Sequence, residues 1–221
     1  MKKTRLLIAT LVCTVMLMGI GYAWWNDLLT INGTATTGKM NVYFENDTLN
    51  GVKYPKVSGS HYVEPSIVEA EAQKITCSFE NLYPGATGKV DFVVINDSDI
   101  PVKLDAFEIK VTGDEELKSK VYAIANYCKI DELGNQVEDF GGTTSQVLLE
   151  ELADELNNCL EETILNPGER LSFGVPEGEE ECPDSEDCIT LWVDREKAEN
   201  DTQGQKVEFT LKMAWQQFNQ S

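Results

Sequence analysis

The strictest constraint on the fold lies near the end of the sequence. Across residues 205–218, Val207, Phe209, Leu211, Met213 and Trp215 alternate with Lys206, Glu208, Thr210 and Lys212. A period of two puts the first set on one face of an extended strand and the second on the other. A strand that is apolar on one face only belongs in an antiparallel sheet with one wet side; parallel sheets are buried on both. Shorter segments repeat the pattern. Met40, Val42 and Phe44 alternate with Asn41, Tyr43 and Glu45, and residues 74–80, 89–96, 102–111, 170–175 and 189–193 read as further strands. Tyr83-Pro84-Gly85-Ala86 has Pro and Gly at the central positions of a type II turn. Residues 89–96 and 102–111 are expected to pair across Asp97-Ser98-Asp99. Within the second, Val102, Leu104 and Ala106 share one parity and Phe107, Ile109 and Val111 the other, which predicts a bulge near Ala106 or a crossing between sheets. About nine strands at this spacing predict an all-β fold, a two-layer antiparallel sandwich.

One helix is predicted, over residues 145–162. Leu148, Leu152, Leu156, Cys159 and Leu160 follow helical spacing, Thr144 or Ser145 is available as N-cap, and Asn166-Pro167-Gly168 ends the segment. Its polar face offers Glu, Asp and Asn rather than Lys or Arg, so it is expected to cover the sandwich and not a membrane surface.

The N-terminus reads as an export signal. Lys2, Lys3 and Arg5 precede an uncharged run over residues 6–20, and Gly21-Tyr22-Ala23 supplies small residues at −3 and −1. The run is close to the roughly 18 residues of a minimal membrane span. The small-x-small boundary and the switch to Asn26-Asp27 favour cleavage between Ala23 and Trp24, leaving a single domain over residues 24–221. Membrane contact is expected only through the uncleaved segment.

The whole chain has a formal charge of −20, and residues 1–23 carry three Lys/Arg and no acid, so cleavage makes the remainder more negative still. That surface repels phosphates, and no basic stripe offsets it; nucleic acid is excluded as a partner. Of six cysteines, Cys13 lies in the signal segment and five remain. Cys77 shares a strand face with Ile75 and Phe79 and is expected as a buried free thiol. Cys182 and Cys188 flank an acidic loop over residues 177–188 and are expected to pair, which leaves Cys128 for Cys159. Zinc is the alternative for these thiols, although the chain has no C-x₂-C pair and His61 is its only histidine.

Little else carries chemistry. Any Ser-His-Asp or Cys-His arrangement would have to use His61, and acidic pairs such as Glu161/Glu162 arise by chance among 38 acidic residues. The 177–188 loop could offer oxygen ligands to calcium but lacks the spaced D-x-D-x-D-G pattern. No catalytic residue, cofactor or metal site is expected.

Trp24-Trp25-Asn26-Asp27, then Leu29-Thr30-Ile31-Asn32-Gly33-Thr34 and Thr37-Gly38-Lys39-Met40-Asn41-Val42, resembles the start of TasA/camelysin-like secreted proteins, the substrates of SipW-type signal peptidases in Gram-positive bacteria. Leu82-Tyr83-Pro84-Gly85 before Val90-Asp91-Phe92-Val93-Val94-Ile95-Asn96-Asp97 is similar too, as are Asn166-Pro167-Gly168-Glu169 before Leu171-Ser172-Phe173 and Asn200-Asp201-Thr202-Gln203-Gly204 before the last strand. The extra cysteines and the acidic insert depart from the simplest members. The resemblance implies a jelly-roll-like sandwich and a non-enzymatic protein of the cell surface or extracellular matrix. Such proteins can form biofilm fibres in which one subunit lends a strand to the next, and partners would then be further copies or other matrix proteins. Residues 24–36 would be the lent strand. Some members are labelled metallopeptidases, but His61-Tyr62-Val63-Glu64 lacks the second histidine of H-E-x-x-H. The alternative is a monomeric glycan- or protein-binding surface module, assisted or not by calcium.

Overall fold

The computed structural model describes residues 39–45, 48–49, 52–53, 55–174, 188–198 and 204–218, all within the compact unit Gly38–Ser221. The expected signal segment, the Ala23/Trp24 cleavage site, the 24–36 strand and the acidic loop up to Asp187 lie outside these residues.

The fold is all-β and antiparallel, with two sheets facing each other. Among the described residues, fifteen strands and two helices follow in order: β1 Val42–Phe44, β2 Thr48–Leu49, β3 Val52–Lys53, β4 Lys56–Gly59, β5 Glu64–Glu71, β6 Lys74–Leu82, β7 Thr87–Asn96, β8 Val102–Gly113, α1 Glu115–Lys118, β9 Val121–Ile130, β10 Gln136–Thr143, β11 Val147–Leu148, α2 Leu152–Leu160, β12 Ile164–Leu165, β13 Arg170–Phe173, β14 Ile189–Val193 and β15 Gln205–Gln217. β2 and β3 pair only with each other.

The larger sheet is built on β7 and β9, and every lane beside them is filled by two short strands end to end. β1 and β4 flank one side of β7, with Phe44 opposite Val94 and Lys56 opposite Asp91. β13 and β14 fill the lane between β7 and β9, with Phe173 opposite Phe92 and Ile189 opposite Val90. On the β9 side the same lane runs from Ser172 opposite Cys128 to Ile189 opposite Ala125. β10 and β11 line the far side of β9. The smaller sheet has the order β12-β8-β15-β6-β5.

Between the sheets lies the core. Phe79, Phe92, Phe173 and Phe209 are among its largest fully buried side chains. Phe173 of the larger sheet stacks on Phe92 with centroids 4.5 Å apart and meets Phe107 of the smaller sheet edge-on at 5.7 Å. Each such ring contributes about 1.5–3 kcal/mol on burial. Gly88 is needed where the layers touch: a Cβ there would fall 2.4 Å from the Phe79 ring. The alternation of β15 is realised as expected, with Val207, Phe209, Leu211, Met213 and Trp215 all buried. The Pro84-Gly85 turn closes with Ala86 N–H donating to Tyr83 C=O at 2.8 Å, and Gly85 has φ 84°.

Two expectations are corrected. β7 and β8 do not pair; β7 lies in the larger sheet and β8 beside β15 in the smaller. The cause is Asn96, fully buried at the corner. Its Nδ2 donates to Ile100 C=O and Leu165 C=O at 3.1 and 2.8 Å, and its Oδ1 accepts from Ser98 N–H at 3.0 Å, which turns residues 97–101 from one layer to the other. The parity flip in β8 is a bulge, with the register shifting between Ala214 and Trp215 so that Asp105 is the extra residue. The helix spans Leu152–Leu160 and not residues 145–162. Thr144 Oγ1 accepts from Ala125 N–H at 2.9 Å and β11 joins the edge of β9, so sheet pairing claims the first predicted turns. Leu152, Leu156 and Leu160 keep helical spacing and are buried in the core. The short helix α1 was unforeseen, although Asp114 caps it by accepting from Glu116 N–H and Leu117 N–H.

Candidate functional site: an open sheet edge

An unpaired strand edge presents a row of backbone N–H and C=O groups that another strand can bond. Among the described residues most edges here are short: β1 has three residues, β4 four, β11 and β12 two each. β10 is longer, but its register breaks between Gln136 and Gly141. The outer side of β8 is occupied by β12 and by α2. Asn157 Oδ1 accepts from Phe107 N–H at 2.7 Å and its Nδ2 donates to Phe107 C=O at 3.0 Å, so one side-chain amide replaces a rung of the ladder.

β5 differs. It runs eight residues and, among the described residues, pairs on one side only, with β6. Its sequence, Glu-Pro-Ser-Ile-Val-Glu-Ala-Glu, explains the position. Pro65 has no N–H to give to a central ladder, and the acids favour solvent. The register shifts between Ile67 and Glu69, leaving Val68 as the extra residue of a bulge. Ile67 is 36% exposed and Val68 55%, a pair of β-branched side chains turned to water. Glu69 forms an ion pair with Lys74; the hydrogen bond to Lys74 holds the Glu69 carboxyl below its usual range, opposed by desolvation. Bulge and charges restrict which strand can add, while Ile67 and Val68 offer it apolar contact. At the turn into β6 an open cleft of about 530 Å³ is bordered by Glu71, Lys74, Glu108 and Lys212, two charges of each sign.

The cysteines are placed apart. Cys77 is a buried free thiol whose pKa burial pushes up to about 12. Cys159, on α2, is an exposed free thiol that bonds the Tyr127 side chain. Tyr127 packs against the core, so the next residue along β9, Cys128, projects from the opposite face. The structure therefore does not bring Cys128 and Cys159 together. Cys188 is a buried free thiol 3.3 Å from Thr190 Oγ1, raised to about 12 chiefly by desolvation. Its expected partner, Cys182, lies outside the described residues. His61 contributes its backbone C=O to Tyr83 OH at 2.8 Å, and its ring rests edge-on against Tyr62 at 4.1 Å. Among the described residues no three His, Cys, Asp or Glu side chains gather closely enough to hold a metal ion, and no helix is long and apolar enough to cross a membrane.

Comparison with family models, with curated proteins and with solved structures finds no match for this chain.

Proposed function

We propose that the chain is an exported, non-enzymatic structural protein of the cell surface or extracellular matrix, a jelly-roll-like domain that assembles by strand addition. In this reading a SipW-type peptidase cuts between Ala23 and Trp24. Residues 24–36, rich in Trp and Leu, then add to an open edge of a neighbouring copy, as in other β-augmented pairs. The observation that carries the proposal is β5, an eight-residue edge strand that pairs on one side only among the described residues, with Ile67 and Val68 exposed at its bulge. A contact of this kind is head-to-tail and grows a filament unless it closes into a ring.

The test uses exported protein. Sequencing should begin at Trp24, and electron microscopy with light scattering should show filaments from residues 24–221. A chain without residues 24–36 should fold and stay monomeric, and Val68→Lys should suppress assembly. Filaments from the truncated chain, none from the intact one, or an uncut N-terminus in a membrane fraction would each refute the proposal.

A further inference from the structure

The outer face of the larger sheet carries a second surface, on the opposite layer from β5 and independent of strand addition. At one end of this sheet the register aligns a row across successive strands. Ser60 N–H donates to Thr87 C=O at 2.9 Å and Thr87 N–H to Ser60 Oγ at 3.0 Å. Thr87 lies opposite Trp192, Trp192 opposite Tyr122, and Tyr122 opposite Leu148. The neighbours of these residues along each strand, Gly88, Leu191, Val193, Val121 and Ala123, are buried in the core, so Thr87, Trp192 and Tyr122 project outward. All three are partly buried. The next row holds Ser58, Lys89, Thr190 and Ile124.

Trp192 stacks on Tyr122. Its ring lies 6.1 Å from that of Tyr122 with 21° between the planes. Tyr122 is fixed in turn by Lys197, whose Nζ sits 4.8 Å from the ring centroid and bonds the Tyr122 hydroxyl. Asp194 steers that lysine from 3.9 Å and accepts from Glu196 N–H at 2.8 Å. The geometry points to a binding platform for a neutral polysaccharide: the Trp192 ring stacks on the C–H face of a sugar, while Ser58 and Thr87 bond its hydroxyls.

Two observations favour this occupant over others. A chain of charge −20 repels an acidic polymer, but a neutral one meets no such barrier. A protein partner would want an apolar centre that can be desolvated. None of the large apolar residues exposed among those described, Met40, Tyr62, Ile67, Val68 and Leu133, belongs to these two rows. Hydroxyls beside the stacked Trp192–Tyr122 pair instead suit a ligand that is itself hydroxyl-covered.

Native gels cast with hydroxyethylcellulose, laminarin, galactomannan or alginate, run with the mature chain, provide the test. Retardation is expected in at least one neutral gel and not in alginate. Trp192→Ala should weaken binding by about tenfold or more, while Trp192→Phe, which keeps a ring, should bind between the two. The phenylalanine variant and unchanged thermal melting separate lost binding from lost folding. No retardation in any neutral gel, retardation in alginate alone, or wild-type binding by Trp192→Ala would overturn the assignment.

Discussion

Cys77 is fully enclosed between Phe79, Ile75 and the facing strand, opposite Phe209. The folded chain raises its thiol from an ordinary 9.0 to about 12, and Cys188 moves the same way. A pKa raised in the folded state means the folded chain holds its proton more tightly. That stabilisation is complete below pH 9 and is lost as pH climbs from 9 towards 12. Each buried thiol should then cost about 1.4 kcal/mol per pH unit in that window. Cys77→Ala should destabilise by about 1–2 kcal/mol near neutrality through lost packing, at the small end of core truncations. It should also lose less stability than the natural chain between pH 8 and 10. Urea midpoints at the two pH values decide the matter; parallel losses in both proteins would show that the thiol does not ionise on unfolding.

Among elements, α2 and β8 are joined by the two hydrogen bonds of Asn157 to Phe107. Asn157→Ala strands that backbone pair beside the bulge and should cost about 1–3 kcal/mol. Hydrogen exchange at Phe107 should accelerate with it; an unchanged midpoint would mean that water replaces the amide without loss. What the sequence revealed about such elements follows their burial. β15 was legible because from Val207 to Trp215 one face is apolar and the other, Ala214 apart, is polar. β5 was not, because an edge strand exposed on both faces has no reason to alternate. β9 was muted by Ala123 and Ala125, small residues that bury well but signal weakly. The break between β7 and β8 hid in Asn96, whose side chain bonds residues 98 and 100 nearby and Leu165 C=O, the last beyond any local pattern. The outward row through Trp192 and Tyr122 depends on register between distant strands, which spacing along the chain cannot supply.

At the scale of the whole molecule, the lane shared by β13 and β14 is the most consequential feature. Phe173 faces Phe92 and Ile189 faces Val90, so a single position, opposite Asp91, separates the two strands along β7. Gly174 already stands there: a Cβ on it would lie 3.0 Å from that of Asp91, and its φ of 140° turns the chain out of the sheet. Joining Gly174 directly to Cys188, whose C=O accepts from Asn126 N–H at 3.2 Å, should preserve the register on both sides. Removing a closed loop of this length recovers about 2 kcal/mol of chain entropy. The shortened chain should therefore melt at or above the natural temperature and keep its circular dichroism. A molten or insoluble product would show that the excised residues hold the sheet together.

The sheet thus counts residues along a lane and ignores what the chain does between one rung and the next. Two coordinates describe every residue of β13 and β14, its position in sequence and its rung in the sheet, and at Gly174 these part company. A shortened chain that keeps its register would show that length can be removed at that point without moving any other rung. If the shortened chain folds, the core makes no demand on the composition of residues 175–187, which are acidic and carry a cysteine.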